Sequence, residues 1–441
     1  MARAPLSPKS YLQFNFNYLT FSGLWNPYND HRKWLYMIYC TVMVFSIEII
    51  RIHGYMIHAW SVHYDFERFT LSAFLALAFT CGCIKNINLL WHRSDIKFLA
   101  TALMWERGRP CSKETAIYRD KIIPEVIKQS NLFAMIWILD ALFCGLFFYS
   151  ECWNEHRRTL DHILIGYTCL RRIVERWNFW ILLVIDYLMF TIMSFTVLAN
   201  DCLVMSLTFH LSTQLKILNF RLRKCFKSYR DSACNEISAN VESNDLHFSQ
   251  IDVEQLHSTP NQELIYCTQH YQLIVQMVEV MQKVYGIILF PQLASSAIMI
   301  SLTGIHLFVT KTASIGHPVL AGQIILALLS IMFQLVVYCW GGSMIICESE
   351  LISSAAYKSK WYQGDREFQR NMQIFSAMTR KPLYLSAFGV FQLSLPTLKN
   401  VKKIQRDAVN GFNYLSYKGT QNQTSDLKLE ASTPFYIEST C

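Results

Sequence analysis

The sequence predicts an all-α polytopic membrane protein: seven transmembrane helices, a cytoplasmic N-terminus and a helical cytoplasmic anchor region. Three observations carry this. Of 441 residues, 52% are apolar and only 16% charged, more apolar material than one soluble core needs. Apolar runs near the length that crosses a bilayer, about 20 residues, recur along the chain. Lysine and arginine concentrate in alternate connecting segments.

The candidate spans are residues 34–50, 69–90, 132–149, 179–207, 285–309 and 319–347, with a shorter seventh at 382–401. Segments 1–33, 91–129, 212–284 and 348–386 together hold 25 Lys and Arg, against 8 in segments 51–68, 150–178 and 310–318. Basic loops stay in the cytoplasm. The N-terminus is therefore expected inside and, after seven crossings, the C-terminus outside. The glycosylation acceptor Asn422-Gln423-Thr424 falls in that exterior tail and agrees. The chain divides into a cytoplasmic segment 1–33, four helices over 34–211 and a cytoplasmic loop 212–284. A second bundle, 285–401, contains the anchor segment 348–380, and the exterior tail is 402–441.

Residues 1–33 lack the charged, apolar, small-residue order of a cleavable signal, so the first span is expected to direct insertion. Residues 228–262 are rich in Ser, Asn, Asp and Glu and read as a flexible insertion. Beyond it, 263–309 reads as one helix of roughly 70 Å, more than twice the ~30 Å apolar core of a bilayer. Ile265, Ile274, Met277, Val278 and Met281 make its cytoplasmic half amphipathic, with segments 91–129 and 348–380 as packing partners.

Composition excludes several functions. The net charge of +8 is dispersed among apolar runs, which argues against nucleic acid as a partner. No Gly-rich phosphate loop, His-Glu-x-x-His helix or Gly-x-Ser-x-Gly elbow occurs, so neither an enzyme nor a cofactor is expected. His53, His58 and His63 recur every five residues, about 140° apart on a helix, and do not share a face. Cys81-Gly-Cys83 lacks the second pair that a metal site needs. Cys152 and Cys169 share one exterior loop, and whether they are bridged stays open.

Ionisable groups inside spans are costly, at roughly 2.5–3.5 kcal/mol each near mid-bilayer. Glu48 and Lys85 lie near span ends and are expected to snorkel; Asp140 and Asp186 lie deeper. Two readings of the deeper pair are open: a polar anchor in a ligand pocket, or helix–helix hydrogen bonding. Phe74, Phe143, Phe147, Tyr187 and Phe190 sit at similar depth in the outer halves of spans two to four. Rings so placed suit an apolar cavity for a small hydrophobic ligand, although each singly also suits packing or lipid contact.

The C-terminal third carries an ordered series. Tyr338-Cys339-Trp340-Gly341-Gly342 precedes Glu348-Ser349-Glu350, Ala355-Ala356-Tyr357 and Trp361-Tyr362. Arg380-Lys381-Pro382-Leu383 and Phe391-Gln392-Leu393-Ser394-Leu395-Pro396-Thr397-Leu398 follow, and His270-Tyr271-Gln272-Leu273-Ile274 opens the long helix. Together these resemble the insect odorant receptor family, over about residues 265–401. The resemblance implies a ligand-tuned subunit of a ligand-gated, non-selective cation channel in the plasma membrane, forming a heterotetramer with a co-receptor. It implies that odorants bind among spans two, three, four and six, at Phe74, Phe143, Phe147, Tyr187, Phe190 and Leu328. Leu398 and Val401 would then form the pore gate, and Tyr357, Trp361, Tyr362 and Arg380 would belong to the subunit-contact anchor.

One departure is clear. After Val401 the chain reads Lys402-Lys403-Ile404-Gln405-Arg406-Asp407 and continues to Cys441, where the family runs apolar and stops soon after. A ring of such cations at the outer pore mouth disfavours cation flow. A non-conducting regulatory or splice-variant subunit is therefore an open alternative. A secondary transporter is a weaker one, since no internal repeat is visible.

Overall fold

The computed structural model describes residues 11–27, 32–42, 47–64, 66–105, 111–148, 179–242, 260–312, 318–387, 389 and 391–396. The elements in order are α1 (Gln13–Phe21), α2 (Arg32–Cys40), α3 (Ile47–Ser61), α4 (Phe66–Trp91), α5 (Arg93–Ala102), α6 (Lys113–Phe148) and α7 (Phe179–Glu242). Then come α8 (Pro260–Thr312), α9 (Pro318–Lys358), a 3₁₀ turn (Trp361–Gln363), α10 (Arg366–Met378) and a two-stranded hairpin, β1 (Ser386–Ala387) and β2 (Phe391–Gln392). Five helices among the described residues are long and apolar enough to cross a membrane.

The spans expected at 132–149, 179–207 and 319–347 are the outer parts of longer rods. The 64 residues of α7 reach about 96 Å at 1.5 Å per residue. The predicted long helix is present as the 53-residue α8. Its non-membrane half buries Ile274, Met277, Val278 and Met281 against α5, α7 and α10. Ile265 departs from the expectation and is exposed; Leu264, Cys267 and Tyr271 hold that face instead.

Two expectations are corrected. Of the flexible insertion predicted at 228–262, residues 228–242 are helical, as the C-terminal end of α7, and 243–259 lie outside the described residues. Extending a formed helix adds one hydrogen bond per residue fixed, so a polar composition does not end it. The seventh span, expected from residue 382, does not begin there. Residues 382–385 are not helical, and the hairpin follows, with Ser386 paired to Gln392 and Ala387 to Phe391. Pro382 lacks a donor, and Gly389 adopts φ +73°, a left-handed conformation that favours a turn.

The segment 1–33 also holds structure that its polar–aromatic mixture hid. On α1, Asn15 donates to Ser206 of α7 at 2.8 Å, and Tyr11 just before it stacks on His210 at 5.6 Å. One apolar cluster runs from α1 through α7, α8 and α9 to Phe368, Met372 and Phe375 of α10. A smaller one, Tyr55, Leu75, Ala76, Phe79 and Met193, ties α3 and α4 to α7.

Candidate functional site: an aromatic pocket above a buried polar core

In the outer half of the bundle, Phe74 and Phe190 flank the smaller cluster. Tyr55 stacks on Phe79 at 5.9 Å, and Phe79 meets Phe190 edge-on at 5.7 Å. Gly145 of α6 lets α7 approach, since a Cβ there would stand 3.4 Å from the Tyr187 ring and 3.7 Å from that of Phe190. Phe147 reaches across to α9, its ring 3.1 Å from where a Gly322 Cβ would be. Phe147, Tyr187 and Phe190 thus line the junction of α6, α7 and α9, with Leu328 half-buried two turns along α9 from Gly322. Phe143 stacks on Phe147 at 6.3 Å but is 59% exposed and lies at the edge of the group.

Polar groups lie beside and beneath these rings. Ser330 of α9 donates to Asp140 at 3.1 Å, and the Cys144 thiol lies 3.5 Å from the Ser330 hydroxyl. Arg51 of α3 ion-pairs with Asp186 of α7 and donates to the Tyr55 hydroxyl at 2.5 Å. Asp140 and Asp186 both bridge helices, which is the second of their two readings.

The expectation that Glu48 and Lys85 snorkel is overturned: they are 1% and 4% exposed. Glu48 accepts from Asn86 at 2.8 Å and Thr196 at 2.7 Å. Lys85 Nζ lies 2.7 Å from Asp201, whose carboxylate also accepts from Gln334 at 2.5 Å and from Tyr338. Helix α4 sets Lys85 against Asp201 of α7 and Asn86 against Glu48 of α3, so partners were nearer than the interface and burial was satisfied locally. Sequence reasoning passed over Asp201 and Arg51. For Asp201 the usable signal was register: Asp186 and Asp201 are 15 residues apart, about four turns, and lie on nearby faces of one helix.

The hairpin is held by side chains of α8 and α9. Gln282 of α8 clamps Ser386 with two 2.8 Å bonds, donating to its carbonyl and accepting from its N–H. On α9, the Ser349 hydroxyl accepts from Leu383 N at 3.0 Å and that of Ser343 from Leu395 N at 2.8 Å. The expected gate residues Leu398 and Val401, the basic Lys402, Lys403 and Arg406, Asn422 and the Cys152 and Cys169 pair lie outside the described residues.

At the other end, Trp361 packs half-buried on the main core, whereas Tyr357 and Tyr362 are 77% and 60% exposed and Arg380 is exposed beyond α10. Leu351, Ile374, Met378 and Tyr384 add exposed apolar side chains on the same elements.

Comparison with known proteins agrees with this architecture. The insect olfactory receptor OR5 from Machilis hrabei, solved in complex with eugenol, superposes with a TM-score of 0.70 at 12% identity, over 92% of this chain and 98% of that one. Odorant receptor 67a of Drosophila melanogaster is 29% identical over 125 residues, 28% of this chain and 30% of that protein. The odorant receptor coreceptor of Aedes aegypti is 25% identical over 149 residues, 32% of this chain and 30% of that protein. The chain spans about a third of the length of the curated relatives it matches. A family model described as 7tm Odorant receptor matches residues 65–404, most of the sequence, and the chain belongs to that family.

Proposed function

We propose that this chain is a ligand-tuned odorant receptor subunit that binds small hydrophobic molecules among α4, α6, α7 and α9 and gates a cation channel with a co-receptor. The observation that carries the reading is the convergence of Phe147, Tyr187 and Phe190 on a junction where Gly145 and Gly322 leave room for the rings against the neighbouring helices. Rings give contact area without fixed direction, which suits an apolar ligand with few polar atoms. The exposed Tyr357 and Tyr362 support assembly, as aromatic side chains concentrate in the centres of subunit interfaces. The similarity to a co-receptor supports a heterotetramer.

Opening follows from linkage: a ligand shifts the channel only by the difference in its affinity for the open and closed states. The hairpin, held at once by α8 and α9, supports a route from pocket to gate. In the closed state Leu398 and Val401 form a hydrophobic constriction that excludes water and ions. Residence in the plasma membrane belongs to the same reading. The test is co-expression with the co-receptor in oocytes under an odorant panel. Ligand-evoked cation current that needs both chains is expected; silence across the panel with both chains at the surface favours the non-conducting alternative.

A further inference from the structure

The geometry points to a hydration site: one tightly held water molecule in the cavity where α4, α7, α8 and α9 meet. The cavity measures about 10 Å³ and is lined by Lys85, Asn200, Asp201, Tyr285, Gln292 and Tyr338, among others. Its volume matches one water and little more. Asn200 is 1% exposed and neither atom of its amide has a hydrogen-bond partner; Tyr285 is 2% exposed and its hydroxyl has none. A buried amide and a buried hydroxyl left unpaired are unfavourable. Both line the same small cavity, whose wall is completed by Val204, Ile288 and Leu289, and a cavity of this size holds a water where two or more polar groups face it, as these two do.

A water molecule brings two donors and two acceptor lone pairs, so it can accept from the Asn200 amide or the Tyr285 hydroxyl and donate in return. A metal cation fits less well. Lys85 already places an ammonium 2.7 Å from Asp201. That carboxylate accepts from three side chains, Lys85, Gln334 and Tyr338, which leaves it little capacity to ligate. The net charge of the Lys85–Asp201 pair is zero, and a second cation would meet the first.

The place matters mechanically. Tyr285 precedes Gly286, which lies against the Ser386 carbonyl, and Tyr338 is one turn from Gly342, which lies against Leu393. The hydrated node therefore sits just above the hairpin and joins four helices through one neutral molecule. It stands on burial and cavity alone, whether or not the chain gates a channel.

X-ray hydroxyl-radical footprinting of the purified full-length protein in lipid nanodiscs tests it. Radicals born from a bound water label its neighbours, however deeply they are buried. Tyr285 and Tyr338 should be oxidised several-fold faster than Tyr271, which is similarly buried at 4% but is not part of this cavity's wall. Asn200→Leu should bring Tyr285 down to the Tyr271 rate. Equal rates for all three tyrosines in the unmodified protein would overturn the proposal. A thermal midpoint that rises saturably with sodium, at constant ionic strength, would overturn it in favour of a cation.

Discussion

The carbonyl oxygen of Leu393 lies 2.4 Å from where a Cβ on Gly342 would stand, so the hairpin strand and α9 touch backbone to backbone. No L side chain fits there without moving the strand. Gly342→Ala should displace the segment before the last span, costing about 1–3 kcal/mol, the usual range for overpacking. Gln282→Ala removes both bonds to Ser386 and should cost a similar ~1–3 kcal/mol by leaving buried backbone groups unpaired. Lower melting midpoints in detergent, together with altered resting or evoked current, are the readouts. Unchanged melting and current in both variants would mean that the hairpin is not mechanically seated.

The Lys85–Asp201 pair sets up a sharper comparison. Both side chains are buried, so Lys85→Met leaves a carboxylate without its counter-ion and should destabilise by about 3 kcal/mol or more. Adding Asp201→Asn removes the orphaned charge while keeping an amide for Gln334 and Tyr338. The double variant should recover most of the loss, read as surface expression and thermal midpoint. Additive losses would show that the two groups act separately.

Pocket size can be changed from either wall. Phe147→Ala removes the ring that reaches Gly322 and should weaken an apolar agonist at least about tenfold, or 1.4 kcal/mol, in half-maximal concentration. Gly322→Val pushes into the Phe147 ring and should favour smaller ligands over larger ones. Phe143→Ala, at the exposed edge, should shift potency much less. An equal effect at Phe143 and Phe147 would move the pocket toward the lipid face.

Tyr357 and Tyr362 contribute little to the chain's own core because most of each ring is exposed. Their double replacement by Ala should leave the melting of the isolated subunit unchanged while lowering the fraction that co-purifies with the co-receptor. Intact co-purification would place the subunit contacts elsewhere.

What the sequence discloses divides along physical lines. Apolar length and charge bias exposed the long rods, and the amphipathic half of α8 was visible because Ile274, Met277, Val278 and Met281 recur at helical spacing. Phe147, Tyr187 and Phe190 were legible together, since rings at equal depth on neighbouring helices can meet; that Phe143 stays exposed at the edge was not. Partnering was the hidden quantity. Lys85 and Asp201 are 116 positions apart, and no local pattern says that they meet. The hairpin was hidden differently: residues 382–392 are apolar enough to read as membrane helix, and only contact with Gln282 and Gly342 selects an extended strand.

Helix α7 has one further implication. It carries Tyr187 and Phe190 near one end and Asn219 and Lys224 some thirty residues further along, with neither proline nor glycine between Phe179 and Glu242. A beam without a joint cannot absorb a small tilt locally, so if the proposed pocket is occupied, sub-ångström motion there would become larger travel tens of ångströms away. A glycine pair inserted midway, near Ser206, should act as a hinge. Signalling would then fade while agonist occupancy persisted.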